Sequence, residues 1–188
     1  DRALWEAAEN GHLEVVRLLL HDSRVRPGAF DNSALKAAAG RGHVEVVRLL
    51  LLESDVDPGA HDSIVVALAA RRGHLEIVRL LLQDSRVNTG KNNRAIRVVS
   101  YHGHFAIAQL LLDDSRVDPS IADNEPLRMA SEQGHLEVVR LLLQDPRVDP
   151  AALYCELQQT KDTRKLLGCC FHSRQRINRA WSKPLNLL

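Results

Sequence analysis

Aromatic residues are scarce in this sequence: Phe, Trp and Tyr together make up 4% of 188 residues. Apolar residues still account for 45%, enough for a core, and that core must be aliphatic, built from Leu, Val, Ile and Ala. Such a mix favours helices over a β-sandwich. Long apolar runs are missing too. None approaches the roughly 18 residues that span a bilayer, and the longest candidates, residues 46–52 and 77–82, are broken by Arg48 and Arg79. No membrane is expected as a partner. Net charge is nearly absent: 25 basic against 24 acidic residues leave +1, a balance that does not point to nucleic acid. Cysteine is confined to Cys155, Cys169 and Cys170. An odd number near one end is no disulfide framework. No secretory leader is visible, and the chain opens on Asp1 rather than Met. The expectation is an intracellular protein, cytoplasmic or nuclear, trimmed from a longer chain.

What is abundant is repetition. Gly-His occurs at Gly11-His12, Gly42-His43, Gly73-His74, Gly103-His104 and Gly134-His135, with histidine spacings of 31, 31, 30 and 31. After each pair comes a version of Leu-Glu-Val-Val-Arg-Leu-Leu-Leu, as in residues 13–20 and 136–143. Next comes Asp-Ser-Arg-Val-Asp-Pro or a variant, as in residues 114–119. A polar step (Asp31-Asn32, Asp123-Asn124) and a run of small residues (34–40) complete the unit.

This order predicts two short helices per unit. The first is Ala-rich, so a neighbouring backbone can approach it closely. Asn32, Ser63, Asn93 and Asn124 stand just before it as candidate N-caps. Gly-His makes the turn. The second helix carries Val15, Leu18 and Leu19 at i, i+3, i+4, and Val16 and Leu20 widen that apolar face. Glu14 and Arg17, at i, i+3, pair on its wet side for only about 0.2–0.5 kcal/mol. Pro27-Gly28 and Pro58-Gly59 mark turns between units. Helix pairs this short cannot bury their own faces, and stacked copies bury one another's.

These residues resemble the ankyrin repeat. Pro126-Leu127, Ala69-Ala70, the five Gly-His pairs and the Val-Val-Arg-Leu-Leu-Leu runs fit its pattern over roughly residues 3–150. The resemblance implies an all-α solenoid of stacked helix–turn–helix repeats with short hairpin loops. It places five repeats in residues 1–150, the first truncated at its hairpin. The departures are consistent. The common ankyrin period is about 33 residues. Here one residue is missing where the second helix ends (residues 83–87) and another from the hairpin, so the hairpins should be too short for strands. The family's first histidine is replaced by Trp5, Lys36, Ala67, Arg97 and Arg128. Residues 151–170 read as a degenerate sixth repeat that caps the stack. Residues 171–188, with Arg174, Arg176, Arg179 and Lys183, read as a basic tail packed on that cap rather than a free nucleic-acid or membrane arm.

Little in the sequence suggests catalysis. Turn histidines one repeat apart stand about 8–10 Å from each other, too far to share one metal ion. His102 and His104 are closer but would need two further ligands. The recurring Glu14, Glu45, Glu76 and Glu137 come with arginine partners, as on a solvated helix face. No Ser-His-Asp spacing, phosphate loop or Cys-x-x-Cys site appears. Cys169-Cys170 reads as a buried cap pair rather than a lipidation site. No enzyme, metal or cofactor is expected.

Positions at which the repeats differ are where a partner would be recognised. The fourth repeat differs most. Its leading hairpin, residues 87–96, is one residue shorter and gains Lys91 and Arg94. Its first helix adds Arg97, Tyr101 and His102, and its second starts with Phe105 and replaces the Glu–Arg pair with Ala106 and Gln109. In ankyrin proteins partners usually contact the hairpin tips and the exposed part of the first helix. With Arg41, Arg71 and Arg72, the fourth repeat makes the centre of that concave face basic, while Glu9, Glu125 and Glu132 lie towards the ends. Arg and Tyr are favoured interface anchors. The expectation is a monomeric protein-interaction module whose centre takes an acidic segment of another protein. The alternative for this surface is a solvated face, basic by drift. The runner-up function is a targeting or substrate-adaptor segment of a larger protein. A third, nucleic-acid binding through the centre and tail, runs against the +1 balance. No small-molecule substrate is expected.

Overall fold

Aliphatic residues at i, i+1 and i+4 after each Gly-His produce the same buried triplet in successive helices. The computed structural model describes residues 2–90 and 93–149. Among these it has ten helices and no strand. They are α1 (Arg2–Glu9), α2 (Leu13–Leu20), α3 (Ala29–Arg41), α4 (Val44–Leu50), α5 (Ala60–Arg71), α6 (Leu75–Leu82), α7 (Arg94–His102), α8 (Phe105–Leu112), α9 (Ile121–Glu132) and α10 (Leu136–Leu142). Odd-numbered helices stack in one layer and even-numbered ones in the other, each pair joined at its own Gly-His turn. The chain is thus an all-α repeat solenoid. The expected cap and basic tail, with all three cysteines, lie outside the described residues.

The second helices bury Val46, Val47 and Leu50 in α4, Ile77, Val78 and Leu81 in α6, Ile107, Ala108 and Leu111 in α8, and Val138, Val139 and Leu142 in α10. Each fully buried Val, Leu or Ile contributes roughly 1.5–3 kcal/mol. In α2, Val15 and Leu18 remain 47% and 71% exposed. The difference is a neighbour: α4 has α2 on that side, and α2 comes first among the described second helices. The core is aliphatic, as the composition requires. Trp5, Phe30, Tyr101 and Phe105 are all exposed by more than a third.

The glycines of the five turns adopt positive φ, +91° at Gly42 and +76° at Gly103, a region that other residues enter at a cost. They also face the next repeat. A Cβ on Gly103 would lie 2.4 Å from His135 Nδ1, and one on Gly11 equally close to His43 Nδ1. Each of these histidines reaches back a full repeat. His43 Nε2 donates to the Glu9 carbonyl at 2.9 Å, His74 to Gly40 at 3.2 Å, His104 to Arg71 at 3.1 Å and His135 to Tyr101 at 2.9 Å. The turn histidine therefore bonds to backbone as its position suggests, and that backbone belongs to the preceding repeat. The Glu–Arg pairs also form on the wet face, at 3.6 Å in α2 and α4, 3.9 Å in α6 and 3.2 Å in α10.

The connectors correct the N-cap reading. None of Asn32, Ser63, Asn93 and Asn124 caps its own helix. Asn32 Oδ1 accepts from the Asp57 N–H at 2.9 Å and Ser63 Oγ from Asn88 at 2.8 Å; Asn93 Oδ1 accepts from Asp118 at 2.6 Å and Asn124 Oδ1 from Asp149 at 2.9 Å. Each ties its repeat to the connector that follows. The physical reason is local. Three consecutive residues, Phe30-Asp31-Asn32, form a left-handed turn with φ of 51°, 59° and 56°, which aims the side chain away from its own helix. His61-Asp62-Ser63 and Ala122-Asp123-Asn124 repeat this turn. Left-handed residues other than glycine cost about 1–2 kcal/mol each, and the recurring inter-repeat bonds help offset that cost.

A second link runs through arginine. Arg86 Nη1 donates to the Val56 carbonyl at 2.8 Å, Arg116 Nη1 to Val87 at 2.6 Å and Arg147 Nη1 to Val117 at 2.8 Å. Asp84, Asp114 and Asp145 hold these guanidinium groups at 2.7, 2.7 and 2.6 Å. The arginines hold each carboxyl below its ordinary range. Asp55 stands where the other repeats have this arginine, and it accepts from the Gly28 N–H at 3.1 Å.

Candidate functional site

On α5, Ile64, Ala67, Leu68 and Arg71 follow i, i+3, i+4, i+7 spacing and so share one helix face. Arg94, Arg97, Val98 and Tyr101 do the same on α7. These two faces, together with His102 and with Met129 of α9, line an open groove of about 500 Å³. The groove lies on the layer of first helices.

The floor and rims differ in chemistry. Leu68, Val98 and Met129 occupy equivalent positions on three neighbouring helices and give an apolar floor. Arg71, Tyr101 and His102 stand at the turn end. Arg94 stands at the connector end. Arg71, Tyr101, His102 and Arg94 are all exposed. The inter-repeat ladder holds the turn end in place, because His104 grips the Arg71 carbonyl and His135 the Tyr101 carbonyl. At the connector end, Asn93 is left-handed with φ +46°. Its Nδ2 donates to the Gly90 carbonyl at 3.0 Å, so α7 begins at Arg94 and presents that side chain at its first position.

Charge at the site depends on which arginines already have partners. Arg97 Nη2 donates to Glu125 Oε1 at 2.8 Å. Its Nε lies 2.6 Å from Oε2 without the alignment of a hydrogen bond. Glu125, expected towards an end of the acidic–basic pattern, instead sits at the centre and neutralises Arg97. Arg41 pairs with Glu9 at 2.6 Å and lies apart from the groove, as does Arg72. Among the described residues no ion pair forms to Arg71, Arg72 or Arg94. Lys91 lies outside the described residues. Of the eight residues singled out in the sequence, Arg71, Arg94, Arg97, Tyr101 and His102 come together.

His102 packs edge-on to Tyr101 with ring centroids 5.0 Å apart and stacks on His104 at 6.1 Å. Partial burial lowers its pKa, and Arg71, His104 and His135 lower it further. Neutral His102 therefore adds a polar, aromatic surface near neutral pH rather than a third cation. Among the described residues no group of three or more His, Cys, Asp or Glu side chains is placed to hold a metal ion. Nor is any helix there long and apolar enough to cross a membrane.

The sequence reading missed Glu125 as the partner of Arg97 and missed the apolar floor. The floor did have a signal. The position six residues before each turn histidine reads Glu6, Ala37, Leu68, Val98 and Met129, turning large and apolar where the arginines gather.

Stacked helix pairs, left-handed turn glycines and histidines bonded one repeat back define a helical repeat module. The family profile described as ankyrin repeats (3 copies) matches residues 1–62 and 66–152. The chain belongs to the ankyrin repeat family, a non-catalytic fold whose general role is to bind other proteins. Among curated proteins, no individual match to the chain emerges.

Proposed function

We propose that this protein binds an acidic segment of another protein in the groove between α5, α7 and α9, on the concave face of the array. One observation carries this reading: Arg71 and Arg94 reach solvent at opposite ends of an apolar floor, with no carboxylate of the described residues paired to either. Tyr101 and His102 supply contact area at the turn end, and Arg97, already held by Glu125, supplies shape. Arg72 lies outside the groove and adds long-range attraction, which speeds encounter, whereas Arg41 is already balanced by Glu9. Lys91, three residues before Arg94 in the sequence, is a further candidate cation. The protein works as a monomer, with the whole face open to its partner.

Affinity capture with quantitative mass spectrometry tests this, with the double variant Arg71→Glu, Arg94→Glu as control. Proteins held through the groove drop out of the variant's catch and share acidic segments. An unchanged catch would sink the proposal. A salt titration against DNA and RNA separates the nucleic-acid reading, which requires a steep salt slope from released counterions.

A further inference from the structure

We infer that the bound segment is extended and carries an apolar side chain midway between two acidic ones, spaced acidic–x–apolar–x–acidic. This rests on the acidic-segment reading and specifies the ligand of that same groove. Ile64 and Arg94 occupy equivalent positions, ten residues before their turn histidines; Arg71 and Tyr101 are equivalent at three. Arg94 is therefore seven residues lower than Arg71 along parallel neighbouring helices. Seven residues of helix rise about 10 Å, and neighbouring helix axes lie about 8–10 Å apart. The two cations thus sit at diagonal corners, with backbones about 14 Å apart. The apolar floor of Leu68 and Val98 lies between them.

An extended chain advances about 3.4 Å per residue, so four residues cover that diagonal. Side chains at i, i+2 and i+4 face the same way in an extended chain. Acidic groups at i and i+4 then meet the two arginines, and the side chain at i+2 drops onto the floor. A helical ligand would need about nine residues to span the same distance. Arg97 does not compete for the acidic groups, because Glu125 already holds it.

The test uses the full chain and synthetic peptides in fluorescence anisotropy titrations. One peptide carries Glu-Ala-Leu-Ala-Glu. A second replaces Leu with Ser. A third keeps the composition with the two Glu adjacent. A fourth is a helix-stabilised peptide with Glu nine residues apart. The first is expected to bind at least about tenfold more tightly than the Ser peptide, the size of effect that one buried aliphatic side chain gives, and about two- to fivefold more tightly than the other two, the size that one exposed ion pair gives. Val98→Ser should abolish the preference for Leu over Ser, and Arg94→Gln the preference for spaced over adjacent Glu. Far-ultraviolet circular dichroism of both variants checks that the array is folded. Equal binding of all acidic peptides overturns the spacing inference and leaves the acidic-segment reading standing. Preference for the helical peptide overturns the extended conformation. Binding of none of them overturns both readings.

Discussion

Along the turn edge of the array the same contact recurs: a left-handed glycine, the histidine of the next repeat against it, and a carbonyl gripped 33 or 34 residues back. Across the face of the first helices nothing recurs. The position three residues before each turn histidine reads Glu9, Gly40, Arg71, Tyr101 and Glu132. Both regions are made by the same helices. A residue that joins neighbours has to match the repeat before or after it, so its identity is copied along the array. A residue that faces outward has no such constraint and is free to be shaped by a partner. The arginines illustrate the division. Arg86, Arg116 and Arg147 bond to the preceding repeat, whereas Arg71 and Arg94 line the groove with no ion pair to either among the described residues.

The largest expected effect breaks the edge. Gly103→Ala puts a Cβ 2.4 Å from the His135 ring at φ +76°, so it combines backbone strain with displacement of a bonded imidazole. A loss of about 3–4 kcal/mol is expected. At Gly134 φ is +75° and nothing among the described residues lies within 4 Å of such a Cβ, so Gly134→Ala should cost about 1–2 kcal/mol. Urea midpoints measure both. Equal losses would mean that the histidine contact adds nothing to the backbone preference.

Next comes the arginine link. Arg24 is 88% exposed, against 38%, 39% and 41% for Arg86, Arg116 and Arg147. Arg116→Met removes the bond to the Val87 carbonyl and is expected to cost about 1–2 kcal/mol. Arg24→Met, which breaks only an exposed pair with Asp22, should leave the midpoint nearly unchanged. The same denaturation experiment compares them, and a costly Arg24→Met would overturn the contrast.

pH separates the two regions in a second way. Arg116 lowers the Asp114 carboxyl pKa in the folded state, so the folded protein binds fewer protons there than the unfolded chain. That stability is present above the unfolded value of about 4 and is lost as pH falls through the folded one. Asp114→Asn should therefore flatten the acid limb of a plot of stability against pH below about 4. The lowered His102 pKa acts in the same direction at higher pH. Its contribution is intact above the unfolded value of about 6.5 and declines as pH drops through it, because the unfolded chain takes the proton first. His102→Gln should flatten that smaller slope while leaving the acid limb unchanged. The smallest effect on stability belongs to the groove cations: Arg71→Glu with Arg94→Glu should shift it by no more than about 0.5 kcal/mol. A larger loss would show that these residues hold the fold rather than face a partner.

Much of this was legible beforehand where the rule is local. The Gly-His period located every turn. The aliphatic pattern located the second helices, and the i, i+3 spacing located the wet Glu–Arg pairs. Differences between repeats marked eight residues, and five of them line one groove on the first helices. Apart from the apolar floor, the failures concern bonds between repeats. Asn32 looks like a helix cap until its left-handed backbone aims it at Asp57, 25 residues on. Arg97 looks like a free cation until Glu125 arrives from 28 residues away. Arg116 looks like an ordinary connector residue until stacking places the Val87 carbonyl, 29 residues back, beside it.

The sequence by itself determined the repeat, its length, its helical class and the identity of its outlier, because these follow from spacing within a turn or a helix. Only the tertiary structure decided which charges are already satisfied. Ion pairs and carbonyl bonds form between repeats, at distances set by how one helix pair settles on the next. Two arginines that look alike in the sequence thus end in different states: Arg97 holds the array's own Glu125, and Arg94, three residues earlier, reaches solvent with no carboxylate of the described residues paired to it.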